Sequence, residues 1–424
     1  MQIQTGAADA WPHAADALPV KTIPDQEAAT AAVIGTDASA APVAEPLTEY
    51  HPSFTGTGKE YFRIWIVNLC LSLATLGIYS AWAKVRRLKY FDRNTQLNGA
   101  SFNFHGDPNI IFRGRVIAVL LLFCYHYLFT FSKTLALSLF VIFLLGVPWM
   151  MRSALRFRLR NTSYMGLRCQ FHGTLSGAYA TYLPVGLVVL LPGLLGVLIP
   201  HKPGILAFAF IPYLSWPWLH ARMRMYQHNG LVFAALKSSC SLTKGSFFLS
   251  YFIIGLSLLI FVMVIGMGAA IFFASFKNHA ADNYKIFMET YSWLLVPVGF
   301  LVVLLAYAIF LSGSTLLQVK IWNKSWNATR FPGVEIESQL PYKAFYYLQM
   351  KNLFLTLLTL GLYRPFAVVN VYRFRLQYVS VKAASLEQLL ATQHAETGQA
   401  GKSGQFGQAS GDSSADLFGF DLSW

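Results

Sequence analysis

The sequence predicts an all-α multi-pass membrane protein with internal repeats and short cytoplasmic β segments between its helical hairpins. Of its 424 residues, 55% are hydrophobic and only 12% are charged, and the mean hydropathy is +0.46. Soluble domains carry about 25% charged residues, so this composition argues against a cytosolic enzyme. The 34 Phe, 21 Tyr and 10 Trp exclude disorder for most of the chain, because disordered segments are poor in large apolar groups.

Charge is distributed unevenly along the chain, whose formal net charge is +14. Residues 1–49 carry a net charge of −6 and residues 384–424 carry −4, so the core 50–383 carries +24. Both ends are rich in small and polar residues, which predicts disordered acidic tails on either side of one membrane domain. No basic segment leads into an apolar run near the N-terminus, so we expect insertion through an internal apolar segment.

Six apolar segments are long enough to form the main transmembrane helices. They are residues 116–132, 134–151, 183–200, 204–219, 247–273 and 292–312. Very short links join the first to the second and the third to the fourth, which predicts antiparallel helical hairpins. Two further apolar segments, 64–83 and 348–366, flank the set and either span the membrane or re-enter it.

Two repeats underlie this organisation. The pattern Asn-Thr, Gly and Phe-His-Gly at residues 94–106 recurs with identical spacing at 161–173. The pattern Thr-Leu-Gly followed by Tyr at 75–79 recurs with identical spacing at 359–363. The alternating apolar residues in the first pattern predict strands at Gly99–Gly106 and Gly166–Gly173, pairing with each other, with Phe54–Gly56 and with Val334–Ser338.

Basic runs follow the predicted membrane segments, and loops rich in Lys and Arg stay on the cytoplasmic side. If 64–83 and 348–366 each crossed the membrane once, the last basic cluster would lie on the opposite side. If both segments re-enter, every basic cluster and both tails are cytoplasmic. We therefore favour re-entry, which is tolerated where neighbouring protein buries the irregular backbone.

The first part of the membrane domain carries a distinctive motif. Phe54-Thr-Gly56 is followed by Thr75-Leu-Gly-Ile-Tyr-Ser-Ala-Trp82 and then by Asn94-Thr95. This stretch resembles the YjgN-like family of bacterial inner-membrane proteins, which contain a domain of unknown function, and the resemblance covers residues 50–383. It implies a multi-pass protein of the bacterial inner membrane and supplies no activity, cofactor or site residue. Arg364-Pro365-Phe366 stands where the first copy has Ser80-Ala81-Trp82, so the last copy departs from the pattern.

Polar side chains follow one face of each flanking segment, at spacings of four, three and four residues. Such groups need partners in hydrocarbon, which leaves two interpretations: a polar path lined by both stripes, or interhelical bonds that only hold helices together. His126, an ionisable residue deep in the main helices, is a further candidate for the path. The candidate residues are Asn68, Ser72, Thr75 and Tyr79, then Asn352, Thr356, Thr359 and Tyr363, together with His126.

The basic helices that follow the membrane segments have the composition of interfacial helices that bind anionic phospholipid headgroups. The alternative is that these charges only set the topology. The candidate headgroup ligands are Lys84, Arg87, Lys89, Arg152, Arg156 and Arg160. We expect no nucleic-acid partner, because the positive charge is spread around membrane hairpins and does not form one soluble basic domain.

Sequence motifs of enzymes, cofactors and metals are absent. There is no HExxH, GxSxG or GxxxxGK[ST] motif, and the four cysteines lack metal-ligand spacing. We therefore expect no enzyme activity, no cofactor and no metal site, and we expect His105 and His172 to be structural. The main helices contain no acidic residue, which argues against transport coupled through buried carboxylates.

Two functions fit these patterns. The leading hypothesis is a transporter or channel for a small or lipid-like solute, with the polar stripes at its centre. The alternative is a non-enzymatic membrane scaffold whose basic helices bind anionic lipid or partner proteins. A polar cavity that reaches the membrane midplane between 64–79 and 348–363 would favour the first hypothesis, and a dry, fully packed bundle would contradict it.

Overall fold

The computed structural model describes residues 47–198, 208, 210–277 and 281–402. Within these ranges, five helices are long and apolar enough to span a membrane. A short 3-10 helix, Ile211–Ser215, precedes the sixth α-helix. The α-helices are α1 (Gly58–Ala74), α2 (Ser80–Arg93), α3 (Pro108–Phe131), α4 (Lys133–Arg160), α5 (Leu175–Leu198), α6 (Trp216–Asn229), α7 (Phe248–Lys277), α8 (Ala281–Asn327), α9 (Tyr342–Leu358), α10 (Arg364–Gln377) and α11 (Leu386–Lys402).

Short strands separate the helices. They are β1 (Thr48–Tyr50), β2 (Ser53–Phe54), β3 (Thr95–Leu97), β4 (Ala100–Phe104), β5 (Thr162–Tyr164), β6 (Leu167–Phe171), β7 (Leu231–Phe233), β8 (Leu236–Lys237), β9 (Ser239–Cys240), β10 (Thr329–Phe331), β11 (Val334–Ser338) and β12 (Val379–Ala383). One antiparallel sheet has the order β1-β12-β11-β10-β9, and the other has the order β2-β3-β4-β5-β6-β7-β8.

The ends of the two sheets are neighbours in the chain. His51 and Pro52 link β1 to β2, and Ser238 alone links β8 to β9. The chain therefore bridges both gaps and completes a circuit of strands, which we call the strand ring. Closing the circuit leaves few unpaired strand edges, and this protects the sheets from pairing with other chains.

Five helical segments leave the strand ring and return to the strand beside the one they left. The residues of departure and return are paired in antiparallel register: Phe54 with Thr95, Phe104 with Thr162, Phe171 with Leu231, Cys240 with Thr329, and Ser338 with Val379. Both ends of every segment consequently lie at the ring. Residues 64–83 and 348–366 each include the turn at which α1–α2 and α9–α10 reverse direction.

The helical segments also close a circuit around a common interior. Helix α2 packs against α3, α4 against α5, α5 against α6, α8 against α9, and α10 against α1. Helix α6 contacts both α7 and α8, which completes the sequence of neighbours. The first and last helical segments are therefore adjacent in space, although they lie at opposite ends of the described chain.

The same turn reverses the chain between α1 and α2 and between α9 and α10. Gly77 has φ of 90° and Gly361 has φ of 93°. Each glycine amide donates to the carbonyl five positions earlier in the chain, at 2.7 Å. Glycine adopts positive φ without the steric cost that a Cβ atom imposes. The two Thr-Leu-Gly patterns therefore form equivalent turns.

Five of the six predicted transmembrane segments coincide with α3, α4, α5, α7 and α8 over the described residues. The prediction for 204–219 differs, since residues 199–207 and 209 lie outside the described residues and the remainder does not form one continuous helix. Pro212 is the second residue of the 3-10 helix, and Pro217 is the second residue of α6. Proline lacks an amide donor and is tolerated at helix starts, which explains the break.

The predicted strands form, but their pairing differs from the prediction. Strand β5 lies between β4 and β6, so Gly99–Gly106 and Gly166–Gly173 do not pair directly. Phe54 pairs with β3, whereas Val334–Ser338 pairs with β10 and β12 in the other sheet. Local hairpins explain the difference: positive φ at both Asn98 and Gly99 favours a two-residue turn between β3 and β4.

Both predicted tail boundaries differ from the structure. Residues 386–402 form α11, whose Leu386 and Leu390 are buried against a cluster that includes Tyr164, instead of a disordered tail. Their four-residue spacing gives the helix one apolar face, which the low overall hydrophobicity of the tail concealed. Thr48 and Glu49 belong to β1 and pair with β12. Residues 1–46 and 403–424 lie outside the described residues.

Candidate functional site

A cavity of about 900 Å³ lies inside the strand ring and between the helices that leave it. We call it the central cavity. Both sheets and helices α2, α4, α6, α8, α9, α10 and α11 contribute to its wall, which is mostly apolar. Protein interiors are normally close-packed, so a space of this size is unusual, and it falls within the range of small-molecule sites. Its lining includes Phe91, Phe157, Trp326, Leu353, Val379 and Leu390.

Helix α11 covers part of the central cavity. Leu386, Leu389 and Leu390 line the cavity, and Leu386 and Leu390 are only 5% and 3% exposed. The Gln393 side chain accepts a hydrogen bond from the Ala235 amide at 2.9 Å, in the turn after β7. Helix α11 is thus attached to the ring by apolar packing and by a polar contact.

An ion pair crosses the wall of the central cavity. The Arg158 guanidinium donates from Nη1 to Asp92 Oδ2 at 2.8 Å and from Nη2 to Oδ1 at 2.7 Å, which joins α4 to α2. Arg158 also lies over the Phe104 ring, 5.0 Å from its centroid. Sequence reasoning missed this pair. The available signal was Asp92 itself, the one acidic residue between Glu60 and Asp107.

Two ionisable groups on the cavity wall are neutral at physiological pH. Burial raises the pKa of the Cys169 thiol to about 12. Burial, and then the charge of Arg224, lowers the pKa of His228 to about 3. His228 Nδ1 lies 2.8 Å from Thr329 Oγ1. These residues add polarisable surface to the cavity without adding charge.

Asn352 is a buried amide on the cavity wall. It is 4% exposed, and neither its Nδ2 nor its Oδ1 has a hydrogen-bond partner within the described residues. Leaving such a group unsatisfied costs about 1–3 kcal/mol. A bound molecule with a polar group would therefore gain from contact with this side chain.

A second space of about 500 Å³ lies between α1, α2, α3 and α10. We call it the basic cleft, because four basic side chains line it and no acidic residue does so among the described residues. Arg115 donates to Ser80 Oγ across the cleft. The lining comprises Lys84, Arg87, Arg115 and Arg364, the polar residues Asn68, Ser72 and Ser80, and apolar residues that include Trp65, Leu69, Ala118 and Val368.

The central cavity and the basic cleft share part of their walls. Lys84 and Arg87 of α2 and Arg364 and Val368 of α10 line both spaces. The shared wall therefore carries three positive charges. A molecule that moved between the two spaces would pass these side chains.

Residues 49–405 match the family described as bacterial protein of unknown function, DUF898. The match covers most of the chain. The chain belongs to this family.

Named relatives agree with this assignment. The chain is 33% identical over 144 residues to inner membrane protein YjgN of Escherichia coli O157:H7, which covers 31% of this chain and 34% of that protein. It is 34% identical over 146 residues to inner membrane protein YjgN of Salmonella typhimurium, covering 32% and 36%. The matched region thus spans about a third of these relatives. No solved structure matches the chain.

The predicted polar stripes divide between the two spaces. Asn68 and Ser72 line the basic cleft, whereas Asn352 and Thr356 line the central cavity. The stripes therefore do not line one common path, although the shared wall lies between them. Whether either stripe contacts a solute stays a prediction.

The other stripe residues hold the turns. Thr75 Oγ1 donates to the Leu71 carbonyl at 2.7 Å and accepts from the Tyr79 amide at 3.0 Å. Thr359 makes the equivalent bonds to Leu355 and Tyr363, at 2.7 and 2.9 Å. These hydroxyl groups satisfy backbone atoms at the helix ends, which is a structural role.

His126 lies on α3 and lines neither space. Its side chain is exposed at the helix surface, where its ring is 6.0 Å from that of Tyr127. His126 therefore lies apart from the stripe residues, contrary to the prediction that they share one polar path.

The predicted headgroup ligands have different surroundings. Lys84 and Arg87 face the two internal spaces, whereas Lys89 is half-buried and lines neither. Arg152 donates to the Gly173 carbonyl at 2.7 Å. Arg156 is half-buried and Arg160 is exposed. Binding of lipid by any of these residues stays a prediction.

His105 and His172 have separate hydrogen-bond partners. His105 Nε2 lies 3.0 Å from Ser163 Oγ, and His172 Nε2 lies 2.9 Å from Gln170 Oε1. Within the described ranges, no three His, Cys, Asp or Glu side chains group as metal ligands would.

Proposed function

We propose that this chain is an inner-membrane protein that binds a lipid-like solute in the central cavity and moves it through the membrane. The observation that carries the proposal is the pair of adjoining spaces, one mostly apolar and one basic, with Lys84, Arg87 and Arg364 on their shared wall. An amphipathic anion matches this combination, because its chain suits the apolar space and its head suits the basic one.

The return of each helical segment to the strand ring supports a membrane placement with the ring on one side. All five helical segments begin and end at the strand ring, and basic residues are frequent beside it. The positive-inside tendency supports a cytoplasmic ring, with both tails on that side. Relatives named as inner membrane proteins support the compartment.

The repeats support an origin by duplication. The equivalent glycine turns in α1–α2 and α9–α10, together with five helical segments that alternate with strand pairs, are expected from repeated copies of one unit. Duplicated units surround solute sites in many transporters. We assign no enzymatic step to the chain.

Reconstituted liposomes test the proposal. Fluorescent short-chain phosphatidylglycerol serves as the probe, and a membrane-impermeant reductant reports how fast the probe crosses. We expect wild-type protein to accelerate crossing and Leu353→Trp to slow it, because Leu353 lines the central cavity. Phe354→Trp is the matched control, since Phe354 is 66% exposed on a different face of the same helix.

Equal crossing in protein-free and wild-type liposomes would contradict transport of this probe. Equal slowing by Leu353→Trp and Phe354→Trp would contradict the central cavity as the route. Binding without crossing would instead favour the alternative function, a membrane scaffold that holds anionic lipid.

A further inference from the structure

We propose that the basic cleft is a binding site for a phosphate group carried by a membrane amphiphile. This site would supply the ligand's headgroup contacts in the proposed function. Only the later transport of the bound molecule rests on that function. Its own basis is the convergence of Arg115 from α3, Lys84 and Arg87 from α2, and Arg364 from α10 on one space.

The charge of the lining selects an anion. Four positive side chains surround the cleft, and no acidic residue lines it within the described part of the chain. Charges interact strongly where the dielectric constant is low, so a lining of one sign attracts the opposite charge. Basic pockets between transmembrane helices are suited to lipid headgroups.

Arginine chemistry favours a phosphate group. A guanidinium group presents its N–H donors in a planar fork that matches two phosphate oxygens. Ser80 Oγ accepts from Arg115 and so orients that fork. Ser72 and Asn68 add polar atoms to the same lining.

The cleft also has an apolar part that suits the rest of an amphiphile. Trp65, Leu69 and Val368 belong to its lining, and the space of about 500 Å³ exceeds the needs of a phosphate group alone. We therefore favour a phospholipid headgroup over free phosphate as the source of the anion.

Native mass spectrometry of the purified full chain tests the site. The protein is equilibrated with phosphatidylglycerol or with phosphatidylcholine micelles, and separately with inorganic phosphate alone. We expect wild-type protein to retain phosphatidylglycerol, and Arg115→Gln with Arg364→Gln to weaken retention about tenfold or more, since charge-assisted hydrogen bonds are lost.

The control is Arg113→Gln, because Arg113 is exposed on the same helix and lines neither space. Circular dichroism checks that each variant keeps its helical content. Retention of phosphatidylglycerol by the double variant at the wild-type level would overturn the site, as would equal loss in Arg113→Gln.

The probes distinguish the source of the phosphate. Preferential retention of phosphatidylglycerol supports the lipid headgroup, whereas tight binding of inorganic phosphate alone would overturn that assignment. If the basic cleft binds lipid but the protein does not accelerate lipid crossing, the proposed transport is contradicted. The proposed binding site is then still supported.

Discussion

The α1–α2 and α9–α10 hairpins share a backbone but differ in the side chains that surround their buried asparagines. Asn68 accepts a hydrogen bond from Arg86 at 3.5 Å, whereas Asn352 has no partner among the described residues. The position equivalent to Arg86 is Asn370, whose shorter side chain donates to Tyr363 instead. The same sequence motif therefore gives an amide that accepts a side-chain hydrogen bond in the basic cleft, and one without a described partner in the central cavity.

The two hairpins also differ in the charges on their second helices. Helix α2 has Ser80 and Asp92 where α10 has Arg364 and Leu376. The α1–α2 hairpin is thus joined to α4 through the ion pair of Asp92. The α9–α10 hairpin contributes the positively charged Arg364 to the shared wall. The two hairpins therefore have similar backbones but different contacts, because the side chains on their second helices differ.

The largest loss of stability is expected when Asp92 of α2 is replaced by leucine, the residue type at the equivalent position of α10. Asp92→Leu should lower the free energy of unfolding by about 2–4 kcal/mol, because Arg158 loses both carboxylate bonds. Partial access of Arg158 to the cavity, at 29% exposure, keeps the cost below that of a fully buried pair. Denaturant unfolding measures it, and Asp92→Leu with Arg158→Leu should recover most of the loss.

The glycine turns offer a symmetric test. Gly77→Ala and Gly361→Ala should each cost about 1–2 kcal/mol, because a Cβ atom disfavours positive φ. No other side chain lies within 4 Å of either added Cβ, so the whole cost is in the backbone. The same unfolding assay applies, and clearly unequal losses would show that the turns are not equivalent.

Replacing Asn68 and replacing Asn352 should affect stability differently. Asn68→Leu should lower the free energy of unfolding by about 1 kcal/mol, because Arg86 loses its acceptor. Asn352→Leu should be neutral or stabilising, since it removes an unsatisfied amide. If Asn352→Leu slows lipid crossing without lowering the free energy of unfolding, the Asn352 amide contacts the transported molecule and does not stabilise the fold.

The smallest effect on global stability is expected at α11, which covers the central cavity at the end of the described chain. Leu386→Asp with Leu390→Asp should release the helix locally and expose Cys169. With a pKa of about 12, folded Cys169 is almost entirely thiol at pH 8 and should react slowly with a maleimide. Labelling should accelerate in the variant in a background of C70S, C124S and C240S. Unchanged labelling would argue that α11 does not close the cavity.

Elements that depend on local chemistry were predictable from the residues alone. Long apolar runs identified five helices that are long and apolar enough to span a membrane, because hydrophobic periodicity is a local property. The Thr-Leu-Gly repeat identified two copies of one element, and the structure shows that each copy forms a glycine turn. The matching polar stripes at Asn68 and Asn352 were also visible, although their surroundings were not.

How these elements enclose space depends on contacts between distant parts of the chain. The closure of the strand ring, the burial of α11, the Asp92–Arg158 pair and the shared wall at Lys84, Arg87 and Arg364 all join residues that are far apart in sequence. A pattern of residue types does not specify which distant side chains meet. Packing of the five helical segments around one interior does, and it turns scattered basic residues into the lining of a cleft.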